Sequence, residues 1–219
     1  DRISLDDAKR ALLLWVNSPA NPSGLLDDLG AAAAWGRRHG VPVFSDECYA
    51  EFTWASAPRS ILQHGTDGVL AVHSISKRSN LAGVRAGFYA GDQEIVGFLR
   101  SVRQHAGLMV PGPVQEAVAA AYRDDTHVNL QRDIYRRRLE LVRTGLVAAG
   151  IDTPMPEGTF YLWGRGAEGN GFATAQMLAE RSGLVVSPGE LYGDAGAPYV
   201  RVAGVQPDEL LQRAVDRLT

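Results

Sequence analysis

The chain has 219 residues, of which 45% are hydrophobic and 21% charged, and its formal net charge is −3. This composition is typical of a globular protein with one or two domains, and it excludes disordered and fibrous classes. A slightly acidic chain offers no basic field for nucleic acid or an anionic membrane. The single cysteine cannot form an internal disulfide, and no apolar run is long enough to span a membrane. We therefore expect a cytoplasmic protein that binds neither nucleic acid nor a membrane.

The first half of the chain is predicted to alternate strands with helices. After a charged stub, residues 11–16 form an apolar run that ends in NSPANPSG, whose prolines and glycine predict a turn. Residues 27–39 begin with acids, end with basic residues and precede Gly40, which favours a helix. The segments VPVFSDECY and GVLAVHSISK and residues 84–90 predict further strands. Strands without alternating polarity, joined by helices, predict a mainly parallel sheet.

The second half is predicted to be helical at first and then to form a smaller α/β region. Residues 92–107 read as a helix, and after VPGP a helical region extends from about Val114 to Ala149, with an interruption near DDTH. The segments TFYLW, ATAQMLAERSG, LVVSP, YVRVA and PDELLQRAVDRL predict strand, helix, strand, strand and helix. We therefore predict a large-domain part, a connecting helical region and a small C-terminal domain at residues 1–110, 111–149 and 150–219.

Polar side chains follow the predicted strands at the edge where ligands collect in parallel sheets. They are Asn21 after the first strand, Asp46 and Tyr49 after the second, and Ser74, Ser76 and Lys77 after the third. Burial of a lysine disfavours its charged form, lowers its pKa and favours the neutral amine that attacks a carbonyl. Lys77 is therefore a candidate for Schiff-base formation.

The neighbours of Lys77 suit a cofactor that has an aldehyde, a pyridine ring and a phosphate. Ser74, Ser76 and Arg85 supply hydroxyl donors and a permanently charged guanidinium for an anion. Asp46 is suited to keep a ring nitrogen protonated. Donors beside the imine would come from Asn21 and Tyr49, so that one ligand would account for all these side chains.

Four motifs occur in an order that resembles the pyridoxal-phosphate-dependent aminotransferases of fold type I. They are NPSG (21–24), DECY (46–49), SISKRSNLAGVRAGF (74–88) and YVRVA (199–203). The resemblance covers nearly the whole chain. It implies an α/β fold that combines part of the mainly parallel large-domain sheet with a small α/β domain. It also implies that the chain is the C-terminal portion of a longer enzyme, which is a homodimer acting on amino acids and 2-oxo acids.

The resemblance implies roles for four residues around the ring of pyridoxal 5'-phosphate. Lys77 would hold the cofactor covalently and move the proton between the substrate's α carbon and the cofactor. Asp46 would pair with the ring nitrogen and make the ring an electron sink. Asn21 and Tyr49 would hydrogen-bond the phenolate oxygen, and the catalytic set is accordingly Lys77, Asp46 and Tyr49.

The resemblance also implies residues that bind the phosphate and the substrate. Ser74 and Arg85 would bind the phosphate, and Ser76 would be a further contact. Arg201 would form a bidentate pair with the substrate's α-carboxylate and fix which α bond faces the ring, and Asn21 would be a second substrate-binding residue. Closure of the small domain would complete the site. A surface ion pair is the alternative reading of Arg201.

A narrower resemblance concerns the substrate. The segments NSPANPSG, SDECY, VHSISKRSNLAGVRAGF, HAGLMVPGPVQ and SPGELYG are similar to the actinobacterial succinyldiaminopimelate aminotransferases of lysine biosynthesis. This implies amino exchange between N-succinyl-LL-2,6-diaminopimelate and 2-oxoglutarate. Another amino-acid aminotransferase, a carbon-sulfur β-lyase, a PLP-binding regulatory module without turnover, and an oligomerisation or folding remnant stay open.

Three other patterns point to different chemistry. GRGAEG (164–169) matches G-x-G-x-x-G, but it lacks a ribose partner, and a loop is the favoured interpretation. The histidines at 39, 64, 73, 105 and 127 show no metal-ligand spacing, so no metal site is predicted. Cys48 follows two acids, which raise the pKa of a thiol and favour a packing role over a nucleophilic one.

Overall fold

The computed structural model describes residues 3–219, which divide into two compact units. The first unit comprises the chain up to Pro19, Leu26–Thr53 and Ala57–Val128. The second comprises Ala20–Leu25, Trp54–Ser56 and Asn129–Thr219. One helix, Thr126–Ala148, carries the chain across the division at Val128. The predicted domain limits at residues 110 and 149 stay a prediction.

The first unit contains a four-stranded, mainly parallel sheet, as the sequence predicted. Its strands are β1 (Leu14–Asn17), β2 (Val43–Asp46), β3 (Val69–Ser74) and β4 (Gly87–Gly91), and they lie in this order. β1, β2 and β3 are parallel, whereas β4 runs antiparallel to β3. The carboxyl ends of the three parallel strands therefore meet at one edge.

The helices of the first unit connect and flank these strands. They are α1 (Leu5–Arg10), α2 (Leu29–His39), the one-turn α3 (Ile75–Arg78), α4 (Gln93–His105), α5 (Gly112–Arg123) and the first turn of α6 (Thr126–Ala148). The Asp28 side chain accepts the backbone N–H of Ala31 at the start of α2, and Gly40 ends the helix in a left-handed conformation. The core of this unit lies between α2 and the sheet and includes Leu29, Val43 and Val69.

The second unit is built on a three-stranded antiparallel sheet. The strands β5 (Tyr161–Arg165), β6 (Ser187–Pro188) and β7 (Tyr199–Ala203) lie in the order β5-β7-β6, and α6, α7 (Gly171–Ser182) and α8 (Asp208–Asp216) accompany them. Alternate residues of a strand face opposite sides. Leu162, Val200 and Val202 belong to the apolar core of this unit. The opposite sheet face carries the side chains of Trp163 and Arg201, which are paired in register.

Three local predictions are wrong, each for a physical reason. The charged stub forms α1, because the Ser4 hydroxyl caps the N–H of Asp7 and the charges follow the helix dipole. The strand predicted at 84–90 begins only at Gly87, since Arg85 has a positive φ of 56°. LVVSP forms a strand only at its last two residues, Ser187–Pro188. The helix interruption predicted near DDTH is confirmed between α5 and α6.

Candidate active site

The polar side chains predicted after β2 and β3 lie at the carboxyl edge of the first unit's sheet. In register, Asn17 pairs with Asp46, and Asp46 pairs with Val72. Ser74 ends β3 two residues further along. Adjacent strands are about 4.8 Å apart, so these ends lie side by side. The edge joins a carboxylate and a hydroxyl directly beside the helix that carries Lys77.

Asp46 is half-buried and is fixed by its own loop. Its Oδ1 accepts the backbone N–H of Cys48 at 3.1 Å. The pKa of Cys48 is raised to about 12, mainly by burial and then by the hydrogen bond and negative charge of Asp46, whereas the charge of Lys77 opposes this rise. The pKa of the Cys48 thiol thus depends on both the Asp46 carboxylate and the Lys77 amine. The predicted direction for Cys48 is confirmed, although burial is the larger cause.

Tyr49 follows this loop and is buried, with 6% of its surface exposed. It precedes the short 3-10 helix Ala50–Phe52, and its carbonyl accepts the N–H of Phe52 at 2.9 Å. The segment from Asp46 to Phe52 is therefore a compact turn. It carries two of the predicted catalytic residues, Asp46 and Tyr49.

Lys77 is the third residue of α3 and is half-buried. The helix begins where β3 ends, because the Ser74 hydroxyl accepts the N–H of Ser76 at 3.2 Å. Two of the predicted phosphate contacts, Ser74 and Ser76, are thus the cap and the second residue of the helix that carries Lys77. The direct strand-to-helix step brings all three residues into one turn.

Arg85 precedes β4 and is exposed. Its Nη1 donates to the carbonyl of Ala82 at 2.9 Å. Ser74 pairs with Gly87 in register, and a side chain at Gly87 would collide with the carbonyl oxygen of His73. Gly87 therefore lets β4 close on the end of β3. Arg85 therefore lies two residues before the point at which β4 closes on β3.

Sequence reasoning missed a buried acid behind this edge. Glu47 is fully buried; its Oε1 accepts the N–H of Ile61 at 2.8 Å, and its Oε2 lies 3.2 Å from Nε2 of His73. Burial raises the pKa of Glu47, but hydrogen bonds from His73, the Ile61 N–H and Ser60 outweigh it and hold the pKa below its usual value. The available signal was an acid directly after Asp46 on one strand and a histidine near the end of the next.

A second cluster, in the second unit, surrounds Arg201. The guanidinium lies 4.3 Å from the ring centre of Tyr161 and 5.3 Å from that of Tyr192. Its Nη1 donates to Oδ1 of Asn21 at 2.9 Å and its Nη2 to Oγ of Ser187 at 3.4 Å. Within residues 3–219 no acid forms an ion pair with Arg201, and its buried Nε has no hydrogen-bond partner. A surface ion pair, the alternative reading, is therefore absent from this part of the chain.

The loop Ala20–Leu25 holds Asn21 beside Arg201 within this unit. Gly24 has a φ of 71°, and a side chain there would lie 2.7 Å from the carbonyl oxygen of Gly158. The N–H of Gly158 donates to the carbonyl of Gly24 at 2.9 Å. Only glycine combines this φ with so close an approach. The glycine of NPSG, Gly24, therefore fixes the loop that presents Asn21. The sequence did not predict the contact between Gly24 and Gly158.

The structure offers no dinucleotide site at GRGAEG. A phosphate would need the N-terminus of the following helix, α7. There, Oε1 of Glu190 accepts the N–H groups of Gly171 and Phe172 at 3.0 and 3.2 Å, and the Asn170 side chain caps Ala173. A carboxylate of the chain thus takes the place of an anion. Across residues 3–219 no cluster suited to a metal ion is found, and no helix in that range is long and apolar enough to cross a membrane.

Comparison with protein families gives a match over residues 3–218 to the family described as aminotransferase class I and II. A 4-dedimethylamino-4-oxo-anhydrotetracycline transaminase, OxyQ, of Streptomyces rimosus is 45% identical in an alignment of length 215 that covers 94% of this chain and 59% of OxyQ. An LL-diaminopimelate aminotransferase of Aquifex aeolicus is 32% identical, over 100% of this chain and 58% of that protein. The chain thus spans about three-fifths of the length of these relatives.

Comparison with solved structures gives matches of high structural similarity. The substrate-bound BacF structure from Bacillus subtilis is 28% identical with a TM-score of 0.90, and the match covers 99% of this chain and 57% of BacF. An aminotransferase from Neisseria meningitidis is 33% identical with a TM-score of 0.88, over 99% of this chain and 59% of that one. The α/β fold of both units is therefore that of fold type I, as the sequence predicted.

Proposed function

Because the chain belongs to the class I and II aminotransferases, we propose that the protein transfers an amino group between an amino acid and a 2-oxo acid. The observation that carries this proposal is the edge of the first unit's sheet, where Asp46 and Ser74 end adjacent strands and Lys77 follows in the next turn. The presence of these three reactive groups at one edge is more specific evidence for a cofactor site than any one sequence motif. Activity is proposed for the whole protein, because the chain spans only 59% of the length of OxyQ.

Pyridoxal 5'-phosphate is the cofactor of this family, and when bound it supplies an electron-withdrawing ring that stabilises a carbanion at the substrate's α carbon. The chemistry of the donor set fits it. Lys77 offers an amine, Asp46 a carboxylate and Ser74 a hydroxyl at one sheet edge, and Arg85 offers a guanidinium at the turn before β4. Ser76, in the first turn of α3, is a further donor for the phosphate.

Each residue of the first unit would have a separate role at the cofactor, which follows from the charge and hydrogen-bonding groups of its side chain. Lys77 would bind the aldehyde carbon and, when free, would accept and return the proton of the substrate's α carbon. Asp46 would hold positive charge at the ring nitrogen, and the N–H of Cys48 fixes the orientation of this carboxylate. Tyr49 and Asn21 would donate to the phenolic oxygen.

Arg201 would bind the α-carboxylate of the substrate. A guanidinium presents two parallel N–H donors that match a carboxylate. The partners of Arg201 in the structure are neutral, namely Asn21, Ser187 and two tyrosine rings, so no acid among residues 3–219 cancels its charge. Asn21 would orient the guanidinium and touch the substrate at the same time.

For the substrate pair we propose N-succinyl-LL-2,6-diaminopimelate and 2-oxoglutarate. The motifs compared above support this pair, as do relatives named LL-diaminopimelate aminotransferases. Homodimer formation and a cytoplasmic location are proposed with it, on the resemblance alone.

A second candidate is amino transfer to a planar polycyclic ketone, the class of substrate named for OxyQ. The observation that favours it is a cluster of aromatic side chains around Trp163. Trp163 pairs with Arg201 in register, stacks on Tyr199 at 5.0 Å and meets Tyr192 edge-on at 5.6 Å. Such a surface is suited to a flat ring system.

The proposed function is tested with the full-length protein and added pyridoxal 5'-phosphate. We expect a visible absorption band from covalent attachment, its loss in Lys77→Ala, and its conversion by glutamate and by succinyldiaminopimelate. Conversion by glutamate and, in a separate experiment, by a polycyclic amine, but not by succinyldiaminopimelate, would favour the second candidate. A band that Lys77→Ala leaves unchanged would show that the proposed function is wrong.

A further inference from the structure

The helix that carries Lys77 is too short to be stable by itself. α3 has four residues, Ile75–Arg78, and isolated helices shorter than about 12 residues are marginal in water. Its N-terminal side is held by the β3 ladder, the Ser74 cap and the fully buried Ile75. What holds the C-terminal side of Lys77 must therefore be a tertiary contact.

That contact is made by Arg78, whose side chain is only 4% exposed. Its Nε lies 3.0 Å from Oε1 of Glu51, its Nη2 pairs with Asp125, and its Nη1 donates to the carbonyl of Ala121 at 2.8 Å. The guanidinium also lies 5.0 Å from the ring centre of Tyr122. A buried cation is unfavourable unless it is paired and hydrogen-bonded, and Arg78 meets both conditions.

The partners of Arg78 come from two different parts of the first unit. Glu51 lies on the 3-10 helix that directly follows the turn with Asp46 and Tyr49. Ala121 and Tyr122 lie near the end of α5, and Asp125 lies in the break before α6. The planar fork of one arginine therefore connects the helix of Lys77 to the turn of Asp46 and to the α5–α6 break.

A second link runs in parallel from the next residue. Oγ of Ser79 lies 2.8 Å from Nε2 of His127, whose Nδ1 lies 3.2 Å from Asp124. Hydrogen bonds from the N–H of Thr126 and from His127 hold the pKa of Asp124 below its usual value. Two successive residues after Lys77 are thus bound to the same helix break.

We propose that Arg78 is a positioning residue for Lys77, holding the backbone of α3 in register with the turn of Asp46. This inference rests on the proposed function. The Lys77 amine must combine with an aldehyde, lose one water, and be displaced and return in each turnover. A flexible side chain returns rapidly only if its backbone stays in place, because reaction within one site depends on orientation.

The test is rapid mixing of the full-length apoprotein with pyridoxal 5'-phosphate, which separates two phases. A concentration-dependent phase reports cofactor binding, and a concentration-independent phase reports covalent capture by Lys77. We expect Arg78→Met to slow capture about tenfold and to change the affinity of the binding phase less than about threefold. Arg123→Met removes an exposed arginine of α5 and is the matched control, for which no change is expected.

Two further variants separate position from charge and from folding. Arg78→Lys keeps the charge without the planar fork, so we expect capture about threefold slower than in the natural protein. Full restoration by lysine would mean that charge alone acts, and would overturn the proposal. If Arg78→Met does not fold, Asp125→Asn decides, since its carboxylate is largely exposed; unchanged capture there overturns the proposal.

The outcomes also distinguish this inference from the proposed function. Lys77→Ala must abolish the capture phase; if capture persists, the proposed function is wrong. If Lys77→Ala abolishes capture and Arg78→Met captures at the natural rate, only the role of Arg78 is wrong. Equal slowing of both phases in Arg78→Met would indicate general disruption and would also overturn the positioning role.

Discussion

Two arginines of this chain, Arg78 in the first unit and Arg201 in the second, are treated differently by their surroundings. Arg78 meets two carboxylates, Glu51 and Asp125. Arg201 meets an amide, a hydroxyl and two aromatic rings, and no carboxylate among the described residues pairs with it. Both side chains are oriented, but only the first has its charge cancelled. The comparison teaches that an oriented cation with neutral partners is the one suited to an anionic ligand.

The largest effect is expected from Arg201→Ala in the holoenzyme. Loss of a charge pair with the substrate's carboxylate costs about 3 kcal/mol, a fall of roughly a hundredfold in kcat/KM. Steady-state kinetics with the amino donor measure it. Thermal unfolding is the control, because neutral partners lose little when the cation is removed. A kcat/KM close to that of the natural protein would remove Arg201 from substrate binding.

A smaller effect, on stability, is expected when Arg78 loses a carboxylate. Glu51→Gln leaves a buried guanidinium with weaker compensation and should lower the free energy of unfolding by about 2 kcal/mol. The control is Glu140→Gln, which breaks the exposed pair with Arg136 and should cost less than about 0.5 kcal/mol. Denaturant unfolding measures both. Equal losses would show that the burial of Arg78 does not matter.

The difference between the two arginines can be removed by giving Arg201 a carboxylate partner. Ser187→Asp places an acid beside Nη2, where the serine hydroxyl now lies at 3.4 Å. This acid should compete with the substrate and raise KM about tenfold, about 1.4 kcal/mol, with a smaller change in kcat. Ser187→Asn has a similar size and no charge, and should leave KM within about twofold. An unchanged KM in Ser187→Asp would argue against a carboxylate ligand.

The smallest effect concerns pH and the buried acid Glu47. Its pKa is below the usual value of 4.5, so its charged form stabilises the folded state above pH 4.5, and this contribution is lost as pH falls through the folded pKa. We expect Glu47→Gln to reduce stability by about 1 kcal/mol at pH 7. The difference from the natural protein should shrink as pH falls below 4.5 and disappear once pH is below the folded pKa of Glu47. Unfolding curves across pH 3–7 measure it, and a difference that persists at low pH would contradict this cause.

Local signals predicted most of the fold. The apolar runs of β2 and β3, the acid-to-basic order of α2 and the glycine after it are properties of adjacent residues, and the structure has all these elements. β6 and α1 were misread because β6 is a two-residue strand whose pairing with β7 is tertiary, and the capped turn at Ser4 is easily taken for a charged stub.

For the candidate site, too, local patterns in the sequence predicted positions but not long-range contacts. The strand-end positions of Asp46 and Ser74 follow from the pattern of a parallel sheet, so the sequence predicted their common edge. The partners of Arg78 and Arg201 could not be predicted in this way, because Arg78 and Asp125 are 47 residues apart and Arg201 and Asn21 are 180 apart. No periodicity in the chain encodes contacts of that range.

The turn between β3 and β4 has a consequence for how this chain can vary. Lys77 and Arg85 are eight residues apart (85 − 77) in one connection, and Ser74 and Gly87 are paired across its base. An insertion or deletion of one residue that shifted the pairing of β4 with β3 would move every side chain of β4 to the other face of the sheet. Substitutions at exposed positions such as Leu81 and Gly83 leave that register intact. The connection is therefore free to change at such exposed positions but constrained in length, as a spacer of fixed size between an amine and a guanidinium.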